Sequence, residues 1–145
     1  MQFMSSSSEN TSDRGRHAVV AIIVEQSEYL VIRRSELVRA PGLICFPGGG
    51  IEANEDFESA IRRELLEELQ LHVVNTKHIW TSVTKWGTQL EWLACERMPH
   101  SIPIPAPEEV SEVLWLTEAK IRNRLDLLGS LPDFFAAKDA GDFQL

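Results

Sequence analysis

Three consecutive glycines, Gly48, Gly49 and Gly50, lead through Ile51 to Asp56 into a helical repeat that ends near Leu71, and no other stretch constrains the chain as much. Phe57, Ile61, Leu65 and Leu69 recur every fourth residue, the apolar face of an amphipathic helix. Asp56 stands where an N-cap is needed, and Glu58 in the first turn meets the positive end of the helix dipole. Glu58 with Arg62 and Arg63 with Glu67 are opposite charges four residues apart. Glu64, Glu67 and Glu68 run against this pattern. They crowd the C-terminal half, where the dipole favours cations, and on a helical wheel Glu68 lies at the angle of Phe57 and Ile61. One reading is a solvated acidic face. The other is a set of oxygen ligands on a rigid element, as a hard divalent ion such as Mg²⁺ requires.

The glycines bear on that choice. Backbone without a Cβ can approach another group closely, so the loop after Phe46-Pro47 can reach the acidic face of the helix. Gly49, five residues, Glu55, seven residues, then Arg63-Glu64-Leu65-Leu66-Glu67-Glu68-Leu69-Gln70-Leu71 resembles the Nudix box. Gln70 departs from it, standing where the family pattern has glycine, so the helix must end without the usual C′ glycine. Asn54 replaces a frequent glycine; asparagine is the next most tolerant residue for left-handed backbone.

The resemblance implies a MutT-like hydrolase that cleaves the diphosphate linkage of a nucleoside diphosphate joined to another moiety, with Mg²⁺ or Mn²⁺ as cofactor. It implies Glu64, Glu67 and Glu68 as metal ligands, Gly49 as donor of a backbone carbonyl, and Glu55 and Arg63 as residues that order the cluster or assist catalysis. The general base is either Glu64 or an acid from a later loop. Glu109 comes first there and Glu108 second, because similar proteins place a Glu six residues before the tryptophan corresponding to Trp115. Arg34 falls where MutT-like members put an arginine on substrate phosphate, and Arg39 follows in the next loop; a solvated strand-end arginine is the plain alternative for Arg34. Trp80, Trp86 and Trp92 are aromatic enough to stack on a base, although packing is the commoner use. Two other classes are a catalytically silent Nudix-like nucleotide-binding module, which would have lost a box glutamate, and isopentenyl-diphosphate isomerase, whose additional motifs are not found.

The rest of the chain reads as one α/β domain. The 145 residues, 43% hydrophobic, suffice for a sizeable core. Residues 1–15, with Ser5 to Ser8, read as a disordered tail, and residues 16–145 as the folded domain. His17 to Glu25 and Tyr29 to Arg34 read as a strand pair around Gln26 to Glu28, and Leu43 to Phe46 as a short strand. Leu71 to Thr84 and Thr88 to Arg97 form a hairpin around Trp86-Gly87. Pro99 to Pro107 carries four prolines and must be an extended loop. A strand over Glu109 to Leu116, a helix over Glu118 to Leu128 capped by Thr117, and a short helix over Leu131 to Lys138 complete the reading. The resemblance implies the Nudix α/β/α sandwich with a mixed sheet.

A formal charge of −8 argues against a stable nucleic-acid partner held by a basic field. A small nucleotide substrate and a monomer or homodimer are expected. Cys45 and Cys95 lack metal-ligand spacing and read as free buried thiols, which suits a cytoplasmic setting, and no stretch is long and apolar enough to span a membrane. His17, His72, His78 and His100 are scattered and suggest no zinc site.

Overall fold

The β-branched run that opens the domain is divided between two sheets. In the computed structural model, which describes residues 16–145, it forms β1 (His17–Ile22) and β2 (Val24–Glu25), separated at buried Ile23. Only β2 pairs with β3 (Glu28–Arg34), through a two-residue turn in which Gln26 and Ser27 have φ of 51° and 68°. The expected pairing of the whole run with β3 is thus corrected: β1 lies instead between β5 (Gly48–Gly50) and β7 (Gln89–Arg97). The expected tail, residues 1–15, lies outside the described residues.

The first sheet has the order β5-β1-β7-β6, with β6 spanning Val73–Val83. It is mixed, since β1 runs parallel to β7 and antiparallel to β5. The predicted hairpin is β6 and β7. In the second sheet β3 pairs with β2 at its start, with β4 (Ile44–Cys45) at its end, and with β8 (Val110–Thr117) along its length. Helix α1 (Phe57–Leu69) packs on β1 and β5 and buries Ile61, Leu65 and Leu69 against the first sheet. Helix α3 (Ser130–Asp139) carries Phe134 and Phe135 into an aromatic core that joins the sheets. There Trp92 of the first sheet stacks on Phe134 at 5.1 Å, and Tyr29 of the second meets Phe46 at 5.9 Å and Phe134 at 6.2 Å.

The helix expected over Glu118 to Leu128 is shorter. Thr117 caps α2 (Glu118–Arg122) by accepting from the Lys120 amide, and the chain then leaves the helix at Asn123. The Ile44 amide donates to the Asp126 carbonyl and the Leu128 amide to the Ile44 carbonyl, each at 2.8 Å. This segment therefore satisfies backbone of β4 that a longer helix would leave unpaired. Pro99 to Pro107 forms neither strand nor helix, as its prolines require, and closes over the end of α1.

Candidate active site

Helix α1 is held at both ends by local chemistry. Asp56 Oδ1 accepts from the Ser59 amide at 2.7 Å. At the other end Gln70 takes the left-handed conformation, φ 49°, and the amides of Gln70 and Leu71 close back on the carbonyls of Leu66 and Leu65. The proline-rich loop satisfies two further carbonyls: Ile104 donates its amide to Leu69 and Ala106 to Glu68. The helix thus ends without glycine because the loop covers its open end. Asn54, at φ 63°, keeps the turn that leads into the helix.

Along this fixed helix the three box acids divide. Glu64 and Glu68 are buried at 2% and 0% exposure, whereas the Glu67 side chain is 53% exposed and meets Arg63 at 3.4 Å. Glu68 Oε1 accepts the amide of Gly48 at 3.0 Å. Glu64 Oε2 accepts from Arg63 Nη1 at 2.7 Å, and Glu64 Oε1 has no hydrogen-bond partner among the described residues. A buried carboxylate oxygen without a donor is costly unless something else neutralises it.

The glycine strand explains why Glu64 fits. A Cβ on Gly49 would lie 2.1 Å from Glu64 Oε1, and one on Gly48 would lie 2.1 Å from the Val19 carbonyl oxygen. Only glycine lets the carboxylate rest on the strand. Gly50 has no such neighbour; its carbonyl accepts Arg63 Nη2 at 2.8 Å. Arg63 also grips Glu55 through Nε at 2.8 Å and Nη2 at 2.9 Å. This one guanidinium orders Glu55, Glu64 and the glycine strand.

Burial pushes the Glu68 carboxyl up to about 8, with the Glu64 charge adding to the effect and the Gly48 amide and the Arg34 charge opposing it. Burial likewise raises Glu64 against the pull of Arg63. Glu55 is held below its usual range by Arg63. Among the described residues no three His, Cys, Asp or Glu side chains converge as a ready-made metal site. The two buried carboxylates nevertheless suit a hard cation: both are oxygen donors, both are destabilised as anions by burial, and Glu64 Oε1 faces backbone cleared by Gly49.

Beside this cluster is a cavity of about 460 Å³. Val20, Phe46 and Leu90 are among its apolar walls, and Arg39, Trp86 and Asp133 line it as well. Arg34, expected either as a phosphate contact or as a solvated strand end, is not solvated: it is 1% exposed, and its Nε donates to the Arg39 carbonyl at 2.7 Å. Arg39 is the arginine that lines the cavity. Trp92 is fully buried and Trp80 packs on it at 5.2 Å, so packing takes those two, whereas Trp86 stands 38% exposed at the cavity. Glu108 is exposed and Glu109 half-buried, on the turn between the proline-rich loop and β8. The Glu109 carbonyl accepts the Ser35 amide and its own amide donates to Ala106. Sequence reasoning missed the Gly50 carbonyl, which shows only once Arg63 is placed, and did not single out Asp133, an exposed residue on the cavity wall.

Residues 14–137 match the NUDIX domain. The human m7GpppN-mRNA hydrolase NUDT17 is 29% identical over 133 residues; the match covers 75% of this chain, which spans only 40% of that protein's length. Solved structures agree in fold. The MutT protein of Methanosarcina mazei Go1 is 22% identical with a TM-score of 0.67, covering 88% of this chain and 94% of that one. A Nudix hydrolase from Nitrosomonas europaea is 19% identical with a TM-score of 0.69, covering 88% of this chain and 74% of that one. With the domain matched over most of its length and the box residues gathered on one helix and one glycine strand, the chain belongs to the Nudix family.

Proposed function

We propose that this chain hydrolyses the diphosphate linkage of a nucleoside diphosphate joined to a further group. The observation that carries the reading is the buried pair Glu64 and Glu68, with Glu64 Oε1 resting on Gly49 where any side chain would displace it. Glu64, Glu68 and the Gly49 carbonyl would hold Mg²⁺ or Mn²⁺, with Glu67 as the outer ligand. The cation, when bound, neutralises diphosphate oxygens and lowers the pKa of attacking water. Arg63 and Glu55 keep Glu64 aimed at the glycine strand. In this reading Glu64 takes the water proton, because it is fixed on a helix; Glu109, tied by its backbone to Ala106 and Ser35, is the alternative. Arg39 supplies positive charge to the substrate phosphates from the cavity wall, while Arg34 holds the Arg39 backbone.

No helix among the described residues is long and apolar enough to cross a membrane. A cytoplasmic protein, monomer or homodimer, with residues 16–145 as its Nudix domain and a small nucleotide as substrate, completes the proposal. The test is release of phosphate, pyrophosphate or nucleoside monophosphate from a panel of nucleoside diphosphates and triphosphates, nucleoside diphosphate sugars, dinucleoside polyphosphates and m7GpppN. The last belongs there because of the relative's activity. Turnover of at least one compound with Mg²⁺, abolished by chelation, is expected; no turnover of any would overturn the proposal.

A further inference from the structure

From Pro103 to Pro107 the proline-rich loop has only two backbone N–H groups, those of Ile104 and Ala106, and both donate into the end of helix α1. Ile104 reaches the Leu69 carbonyl at 2.7 Å and Ala106 the Glu68 carbonyl at 2.8 Å. The sequence prepares this geometry. Ile102, Ile104 and Ala106 each precede a proline, which keeps them out of the helical region, and each proline fixes its own φ. The loop is therefore extended before it meets the helix, and presenting the two amides loses little conformational entropy.

We infer that Ala106 is a positioning residue for the metal site proposed above, setting Glu68 through its amide and tying that acid to the Glu108–Glu109 turn through its carbonyl; this rests on the function proposed there.

The two buried acids of α1 are held in different ways. Arg63 grips the Glu64 carboxylate. Glu68 is the last residue but one of the helix, in the turn that frays first unless its carbonyls find donors. That turn ends on Gln70 in the left-handed conformation, which glycine adopts at lower cost. The Glu68 side chain leaves little tolerance: it is fully buried, and Oε1 accepts the Gly48 amide at 3.0 Å. Rotation of the backbone in this last turn would carry the carboxylate off the glycine strand. The amides of Ile104 and Ala106 oppose that rotation.

Ala106 faces both ways. Its amide lies on Glu68, and its carbonyl accepts the amides of Glu109 at 2.9 Å and Val110 at 2.8 Å. Ser35 fixes the turn so closed, its hydroxyl donating to the Glu108 carbonyl at 2.8 Å and its amide to the Glu109 carbonyl at 3.0 Å. At the other end of the loop the Ser101 carbonyl accepts Arg97 Nη1 at 2.8 Å, and the Ser101 hydroxyl oxygen accepts the His72 amide at 3.0 Å. A loop pinned at Ser101 and Ser35 passes a displacement of the Glu108–Glu109 turn to Glu68 through the Ala106 peptide groups alone.

Paired variants separate the amide from the side chain. Ala106→Pro and Ile104→Pro remove the N–H from backbone that is already extended, whereas Ala106→Ser and Ile104→Ser keep it. Titration of the full chain with Mn²⁺, followed by electron paramagnetic resonance of the free ion, should show binding about 3- to 10-fold weaker in each proline variant, the scale of one hydrogen bond, and within about twofold of wild type in each serine variant. A second measurement uses the wild-type chain and needs no variant to fold. By the reciprocity of linked equilibria, Mn²⁺ should slow hydrogen exchange of the Ile104 and Ala106 amides, read by mass spectrometry, by the same factor of about 3 to 10, a response that a merely structural contact would not give. Wild-type Mn²⁺ affinity in Ala106→Pro, or exchange unaltered by Mn²⁺, would overturn the inference even where the chain hydrolyses nucleotides. Both expected effects without turnover of any nucleotide would keep the inference and remove the proposed function. A wild-type chain that binds no Mn²⁺ would overturn both.

Discussion

Replacing Gly49 by alanine isolates the contact on which the site depends. The added methyl would lie 2.1 Å from Glu64 Oε1 and 2.4 Å from Cδ, where ordinary contact begins at 3.4 Å. The carboxylate must therefore retreat by more than about 1 Å, and it has little freedom to do so because Arg63 Nη1 holds its other oxygen at 2.7 Å. A misplacement of about 1 Å at a catalytic group costs about 10²-fold in rate. Overpacking of this kind costs about 1–3 kcal/mol of stability, which at about 2–4 °C per kcal/mol lowers Tm by several degrees without unfolding the chain. Gly50→Ala is the matched control, since a Cβ there meets nothing within 4 Å. Steady-state kinetics on the best substrate, with thermal melts of both variants, make the comparison. The expected result is a Gly49→Ala enzyme slowed about 10²-fold and a Gly50→Ala enzyme close to wild type. A Gly49→Ala enzyme at wild-type rate would refute the reasoning, because Glu64 would then work from somewhere other than the glycine strand.

Three further outcomes follow from the buried carboxylates. Glu68 has its folded pKa raised from 4.5 to about 8, so its contribution to stability is fully present below 4.5 and is lost as pH rises toward 8; metal-free protein should lose Tm across that window, and Glu68→Gln should flatten the slope. For the base, Glu64→Gln should lower kcat by about 10²- to 10⁴-fold and weaken metal binding as well, with Glu108→Gln near wild type; a larger kcat loss in Glu109→Gln at unchanged metal affinity would move the role to Glu109. Burial raises Glu91, but hydrogen bonds from Thr81, His17, Gln89 and His78 outweigh it and hold the group at about 2, so this stability is present above 4.5 and lost as pH falls toward 2. Glu91→Ala should destabilise the fold by about 1–3 kcal/mol, since it removes a buried acceptor of four hydrogen bonds whose donors lie at the surface and can turn to water, and a Tm near wild type would show the network to be dispensable.

Helix α1 was legible because one short segment carries its cap, its apolar stripe and its acids together, and the fold confirms each: Asp56 caps, Ile61, Leu65 and Leu69 are buried, and Glu68 lies on the buried side. Asn54 and Gln70 adopt the left-handed conformations that their positions demanded, at φ 63° and 49°. What makes Gln70 tolerable was not legible, since it lies in a loop more than thirty residues on, where Ile104 and Ala106 donate to the last helical carbonyls. Strand periodicity marked His17 to Glu25 correctly as β-structure but carries no information on which sheet each half joins; Ile23 marks the change. The end of α2 at Arg122 is likewise a tertiary decision, made by the backbone of Ile44. Arg34 and Arg39 could not be told apart in role from their spacing, because burial of one and exposure of the other to a cavity depend on how the β3–β4 loop folds back. Of the histidines, His17 and His78 converge on Glu91 across three strands, a meeting that their scatter along the sequence concealed.

The central claim is that Glu64 and Glu68 together hold a divalent cation on which hydrolysis depends. Titration of the full chain with Mn²⁺, followed by electron paramagnetic resonance of the free ion, measures this directly in wild type, Glu64→Gln and Glu68→Gln. Wild type is expected to bind Mn²⁺ and each variant to bind it at least about tenfold more weakly, with kcat falling by about 10²-fold or more while circular dichroism stays unchanged. Undiminished Mn²⁺ binding and turnover in Glu68→Gln would contradict the account.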